Sequence, residues 1–398
     1  MGLLSSNLLF ASGTFEFSEA PTSIRITGHT DPVGALVIPS HLNGKPVTSI
    51  EFQAFKDCTE LTSIVMPDTI TIVSHAAFSG CSNLVSVRMP DTLHTIRNNV
   101  FQYCPKLRDC VLPAGLTSLG TNTFVGCFDL TNMRIPDGLN SIPWGTFYGC
   151  SGLTEVTIPE HITSFGMTCF YQCHKLTHID LPSNLTHIGS QAFHQWDRLE
   201  QVSIPAGVTL IEPRAFNQCT ALRRVDFQGN APSLQSSVFQ GAANGFTIYF
   251  FNGASGFTTP TWQGYPSVNM GDATPEMRWL TRHGQPHDAN MIADQSGGVT
   301  LLMAYALDLN PKDHLSGQMP QPKITPDGLQ LGFRGNTPGI TYLVEQSSSL
   351  DGGWTADGVI LSEPGPDGIR TATVPTEAPG RFLSLTVRKQ ADPNEPSV

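Results

Sequence analysis

Several features that would announce an enzyme or a membrane protein are missing from this chain. The longest strongly apolar stretch, Val299 to Leu307, is interrupted by Thr300. It falls far short of the ~20 residues a spanning helix needs, so no membrane insertion is expected. Basic residues are scarce: 22 Lys and Arg stand against 33 Asp and Glu, for a net charge of -11. Both halves share the deficit, with 13 basic and 18 acidic side chains up to residue 251, and 9 and 15 beyond it. Nucleic acid and anionic membrane surfaces are held by Lys and Arg, so neither is expected as the main partner. No G-x-S-x-G or H-E-x-x-H occurs, and no carboxylate pair sits in an acid/base arrangement. The expectation is a protein with no catalytic residue, no cofactor and no metal.

A long unbroken periodicity of either helix or strand is missing too. In its place Phe55, Phe78, Phe101, Phe124, Phe147, Phe170, Phe193, Phe216 and Phe239 recur every 23 residues. Proline keeps the same interval from Pro67 to Pro205, and leucine from Leu61 to Leu222. Cysteine follows at Cys58, Cys81, Cys104, Cys127, Cys150, Cys173 and Cys219, with Trp196 in the slot it skips. Such an interval defines a solenoid, in which each coil buries its apolar edge only against its neighbours. Within one coil the apolar steps Ile70, Val73, Phe78, Cys81, Leu84, Val87 and Met89 fit a chain that turns corners. The final step of two, as in Leu153, Val156, Ile158 and Pro159, predicts a short strand ended by proline. Stacking at about 4.8 Å per strand would bring the phenylalanines into one buried column. Truncating one ring would cost about 3 to 5 kcal/mol.

The pattern L-x-x-I-x-x-x-A-F-x-x-C-x-x-L-x-x-V-x-I-P resembles the BspA-like, or Treponema pallidum type, leucine-rich repeat. His187-Ile188-Gly189-Ser190-Gln191-Ala192-Phe193 and Ser74-His75-Ala76-Ala77-Phe78-Ser79-Gly80-Cys81 carry the likeness, which covers about residues 24 to 251. The resemblance implies a right-handed leucine-rich solenoid of short parallel strands, joined by turns or short helical segments. It also implies a secreted or cell-surface protein, often one used for adhesion. The chain departs from the better-known leucine-rich pattern in having no asparagine column. The corresponding slots hold Thr69, Thr92, Gly115, Gly138, His161, Asn184 and Gly207.

The expected layout is an N-terminal cap over 1–40, a solenoid over 41–251 and a connector over 252–275. A helix plus β-sandwich-like module follows over 276–398. Met1 to Ala11 is weakly apolar and has no Lys or Arg before Arg25, so it reads as a remnant of a signal segment or as a cap strand. Asn43-Gly44 is a turn signal. Near the other end, Trp279-Leu280-Thr281 and Val299 to Leu309 predict short helices. This part resembles a C-terminal module of secreted verrucomicrobial proteins, in which an aspartate-rich, calcium-binding loop precedes a helix. Asp294 to Gly298 keeps a single carboxylate of that loop, too few for calcium.

The nine cysteines are expected as buried free thiols, since side chains in one column point the same way and the slot also accepts Trp196. His161, His174, His178, His187 and His194 cluster in sequence but occupy different places in the repeat, which argues for surface histidines. Recognition would then fall to the exposed strand face. The candidates are Arg88, Arg108 and Arg134, followed by Glu155, His178, Asp180, Glu200 and Arg224. This order, basic then acidic, would orient a partner. A protein ligand is the first expectation. A glycan stacked on Trp144, Trp196, Trp262 or Trp354 is the alternative. Oligomeric state is not legible.

Overall fold

The protein is described by a computed structural model covering residues 14–30, 32–272, 294–296, 299–300, 323–325, 328–334, 340–347, 359–364, 369–374 and 382–389. It forms two units, Met1–Asp272 and Ala273–Val398. The first is a β-solenoid with parallel strands and no helix among its described residues. Nowhere among the described residues is there a helix long and apolar enough to cross a membrane.

Each coil has three edges. One carries the strand foreseen before the proline, as at Leu61–Val65, Ser86–Arg88, Asp109–Cys110 and Asn132–Arg134. A second carries a two-residue strand, as at Thr95–Ile96 and Ser118–Leu119. Equal coil lengths keep equivalent residues in register: Ser63 pairs with Ser86, and Ser86 with Asp109.

The third edge is a turn built around the phenylalanine. There the amides of Asn99, Phe101 and Tyr103 donate to the carbonyls of Thr121, Thr123 and Val125 of the next coil at 2.7 to 2.9 Å. Two residues per turn, at Phe−2 and Phe+2, adopt the left-handed conformation; in this coil they are Asn99 (φ 61°) and Tyr103 (φ 58°). They bend the chain around the ring while keeping alternate amides aimed along the solenoid axis. Inside the turn the nine phenylalanine rings are fully buried and stack in one file with centroids 4.8 to 5.9 Å apart.

A ladder of side-chain donors runs beside that file. The carbonyl of Phe55 accepts the Cys58 amide of its own coil at 3.3 Å and the Cys81 thiol of the next at 3.0 Å. Cys104, Cys127, Cys150, Cys173 and Cys219 repeat the bond at 3.1 to 3.3 Å. Where the column skips cysteine, the Trp196 indole N–H donates to the Phe170 carbonyl at 2.7 Å. At the corner that lacks asparagine, Thr92 Oγ1 donates to the Asp68 carbonyl at 2.8 Å and His161 Nε2 bonds the Leu139 carbonyl at 2.9 Å. Glycine fills the slot where the coils come too close for a side chain: a Cβ on Gly115 would lie 2.1 Å from the Asp91 carbonyl oxygen.

Both ends depart from the repeat. Phe15–Glu19 runs antiparallel to Ile24–His29, which pairs in parallel with Lys45–Ile50 and so joins the cap to the first coil. Asn43 (φ 50°) and Gly44 (φ 72°) form the hairpin turn between His41–Leu42 and Lys45–Ile50, as an Asn-Gly pair favours. Lys45 pins the cap through its 2.6 Å contact with Glu19, whose carboxyl is held below its ordinary range by that partner and by Asn43. At the far end the expected connector is instead solenoid. Tyr265–Asn269 adds a parallel strand beside Thr247–Phe250, and Thr261–Trp262 folds back on it through Gln263 and Gly264. The reason is apolar burial. Trp262 packs edge-on against Phe227 at 5.6 Å, and Tyr265 against Phe239 at 5.6 Å, closing the last coil.

The second unit is antiparallel among its described residues. Lys323–Thr325, Gly328–Arg334, Ile369–Val374 and Ile360–Leu361 form one sheet, and Ile340–Ser347 pairs with Phe382–Lys389. Leu331, Phe333 and Ala372 of the first share a buried cluster with Val344 of the second. One expectation fails here: Val299–Thr300 is a strand that returns against Asp294–Ser296, a hairpin rather than a loop entering a helix. β-branched Val299 and Thr300 suit that pairing. The rest of the expected helix to Leu309, the helix at Trp279–Thr281, the segment Met1–Ala11 and Trp354 lie outside the described residues.

Candidate functional site

Alternation along the first strand turns Ile64, Val87, Cys110 and Met133 into the core and leaves their neighbours outside. The outward residues form two columns: Ser63, Ser86, Asp109, Asn132 and Glu155, and beside them Val65, Arg88, Val111, Arg134 and Thr157. Arg88 and Arg134 thus share a column, separated by Val111, which is 76% exposed. They border an open groove of about 850 Å³ whose floor includes Val87 and Cys110 and whose rim carries Arg108, Asp109 and Asp137.

The ladder is interrupted at this groove. Asp109–Cys110 ends one sheet and Asn132–Arg134 begins another, and the second edge breaks between the same coils, after Ser118–Leu119. The turn edge continues across unbroken, with Phe101 donating to Thr123 and Phe124 to Thr146 at 2.9 Å. The two coils are therefore joined by backbone bonds through the phenylalanine side and by the Asp129 amide on the Pro105 carbonyl at 2.9 Å, with no strand ladder between them.

Other sequence candidates lie elsewhere on the face. Arg108 and Glu200 precede their strands by one residue and align with Val85 and Arg223, outside both outward columns. Adjacent residues of a strand face opposite ways, so Arg108 and Asp109 cannot both be strand-face positions. Arg108 still reaches the groove rim and lies 3.6 Å from Asp129. His178 and Asp180 are half-buried, in a coil with no assigned strand at that edge. Arg224 is engaged within the fold: its guanidinium bonds both oxygens of buried Asp226 at 2.6 to 3.0 Å and covers the Tyr249 ring at 4.1 Å. The two ends of the supposed basic-to-acidic sequence are thus brought to different surroundings.

The histidines diverge likewise. His161 bonds a carbonyl at the corner, His174 meets Asp197 at 2.8 Å, and His194 stacks on Tyr171 at 4.8 Å. Burial, then Arg214, lowers the His194 pKa from its ordinary value. No group of three His, Cys, Asp or Glu able to hold a metal occurs among the described residues. All nine cysteines are free. Burial pushes the Cys110 and Cys219 thiols up to about 12. Of the tryptophans proposed for stacking, Trp196 and Trp262 are core, while Trp144 is exposed on the turn edge, three residues before Phe147.

A second pocket, about 290 Å³, lies on the two-residue strands and contains Ser164, His187 and Glu212. Ser164 is in register with His187, whose Nε2 lies 3.2 Å from Glu212 Oε1, an order that nucleophile relays use. The amides of Gly166 and Gly189 beside it donate to the carbonyls of Ile142 and Phe165, so neither is free to stabilise an oxyanion. This groove and the strand face, stacked from identical coils, define a repeat scaffold of the leucine-rich class. The chain belongs to the BspA-type leucine-rich repeat family, whose profile matches six copies over residues 37–154 and 117–245.

Among solved structures, the chain is similar to a leucine-rich repeat protein of T. pallidum at 28% identity, covering 41% of this chain and 87% of that one, with a TM-score of 0.36. A leucine-rich repeat protein of Bacteroides ovatus is 22% identical, covering 67% and 79%, with a TM-score of 0.49. A leucine-rich cell surface protein of Faecalibacterium prausnitzii is 21% identical, covering 71% and 98%, with a TM-score of 0.47. No curated protein matches the chain.

Proposed function

We propose that this is a non-catalytic, secreted or cell-surface binding protein that holds a protein partner on its strand face, centred on the groove between Arg88 and Arg134. The supporting observation is the exposed Val111 flanked by two guanidiniums in one outward column, beside an interruption of the sheet. An apolar centre with charged flanks is the composition of a recognition patch, in which the apolar contact supplies affinity and the charges orient the partner. The setting outside the cell follows the family likeness.

The reading is tested by presenting the full chain to an array of purified matrix and cell-surface proteins. The double charge reversal Arg88→Glu, Arg134→Glu should weaken any captured partner about tenfold or more and remove much of the salt dependence. Equal capture by the variant would place the binding surface elsewhere, and turnover of a substrate by the full chain would contradict the non-catalytic part.

A further inference from the structure

We propose that the turn edge from Tyr103 to His194 binds an extended neutral glycan, lengthwise along the solenoid. Each coil's turn runs from Phe−3 to Phe+2, with the phenylalanine and the residue before it buried and the other four at or near the surface. In the six successive turns at 75–80, 98–103, 121–126, 144–149, 167–172 and 190–195, none of these residues is Asp, Glu, Lys or Arg. Among the charges that flank these turns, Lys106 bonds Asn83 at 2.7 Å, Asp129 faces Arg108, Asp197 faces His174 and Glu212 accepts from the Ser190 amide at 2.8 Å, while exposed Arg97 borders the turn at 98–103. A surface without formal charge on a chain of net charge -11 selects a ligand without charge.

Aromatic rings occupy the edge instead. Tyr148 stacks on Tyr171 at 4.6 Å, and Tyr171 on His194 at 4.8 Å. Farther along, Tyr103 is 59% and Phe128 52% exposed. Both rings lie over a missing side chain: a Cβ on Gly126 would sit 3.1 Å from a Tyr103 ring atom and 3.9 Å from one of Phe128. Both rings border the space left at that glycine and are more than half exposed, within reach of a sugar's C–H face.

Planar amides supply the polar half of the site. Gln172 donates to Gln195 at 2.8 Å and Asn99 to Gln102 at 2.8 Å, pre-ordering side chains that offer both a donor and an acceptor to vicinal hydroxyls. Every turn from 98–103 to 190–195 carries an exposed or half-buried aromatic or amide side chain, at positions that vary from coil to coil, so a linear hydroxylated polymer laid along the edge meets such contacts in each coil. These residues are distinct from the Arg88–Arg134 groove, so the two surfaces can be tested separately.

The experiment is titration calorimetry of the full chain with cellohexaose, xylohexaose and mannohexaose at low and high salt. At least one oligosaccharide is expected to bind, with an affinity indifferent to salt because the ligand is uncharged. Tyr103→Ala and Phe128→Ala should each weaken it about tenfold, or roughly 1.4 kcal/mol. Both side chains are exposed, so melting curves should stay unchanged; Arg88→Glu, Arg134→Glu should leave sugar binding intact. The proposal is overturned if none of the three sugars binds, if binding survives both ring truncations, or if it disappears at high salt. Loss of a protein partner alone on ring truncation would equally overturn it and assign the edge to protein recognition.

Discussion

The cysteine column shows how a residue type is chosen for two properties at once. A thiol is small and apolar enough to sit beside stacked rings, yet it retains a proton to offer a carbonyl that would otherwise go unmet by the next coil. Trp196 makes the case, since a far larger side chain is accepted where it brings an N–H to the same carbonyl. Replacing Cys150 therefore separates donor from volume. Cys150→Val should lose about 0.5 to 1.5 kcal/mol by removing one of two donors to the Phe124 carbonyl, which keeps the Cys127 amide at 3.2 Å, and Cys150→Ser should lose less. Chemical denaturation of the two variants checks the order, and equal losses would reduce the column to mere filler. A buried thiol outside the column, Cys110 of the first strand edge, gives stability an alkaline limit. Folding raises the Cys110 pKa from 9.0 to about 12, so the folded state favours the protonated form. Its contribution is full below about pH 9 and is lost as pH rises toward 12. The melting temperature should fall across that window, and less steeply in Cys110→Val.

At the scale of the element, the turn explains why phenylalanine recurs at a fixed interval. Two left-handed residues fold the chain around one ring, and their amides and the phenylalanine's bond to the next turn, so the ring can sit only at the centre. Asparagine and glycine accept that conformation readily, whereas Thr168 holds it at φ 52° with a branched side chain. Asn99 and Asn122 occupy the equivalent position in other coils. Thr168→Asn should therefore raise stability by about 0.5 to 1 kcal/mol in thermal unfolding. A loss would mean that the packing of the buried threonine outweighs its backbone strain. Strands are governed more loosely. Their two to five residues leave alternation legible over one step only, which is why Arg108 and Glu200 read as face residues when the register places them one position early.

For the whole molecule, the ends decide independence. A segment that reads as a glycine- and proline-rich connector becomes the closing coil because Trp262 and Tyr265 cover Phe227 and Phe239, which would otherwise be wet. A chain of residues 14–272 should unfold cooperatively as one solenoid. One ending at 251 should melt several degrees lower, for each buried aromatic ring it strips away contributes about 1.5 to 3 kcal/mol. Calorimetry of the two settles the boundary; identical melting would return the segment to the role of a connector.

The amino-acid order alone determined the coil: its length, the file of phenylalanines and the strand before each proline, because each repeat meets a copy of itself and local spacing then dictates what stacks. It also named the family. It did not show that the thiols donate to phenylalanine carbonyls, that Arg224 is engaged by Asp226, that the sheets part beside Val111, or that uncharged turns line up into one aromatic edge. Those facts depend on which side chains from different coils face one another across a gap of a few ångströms, and only the stacked tertiary structure brings them together.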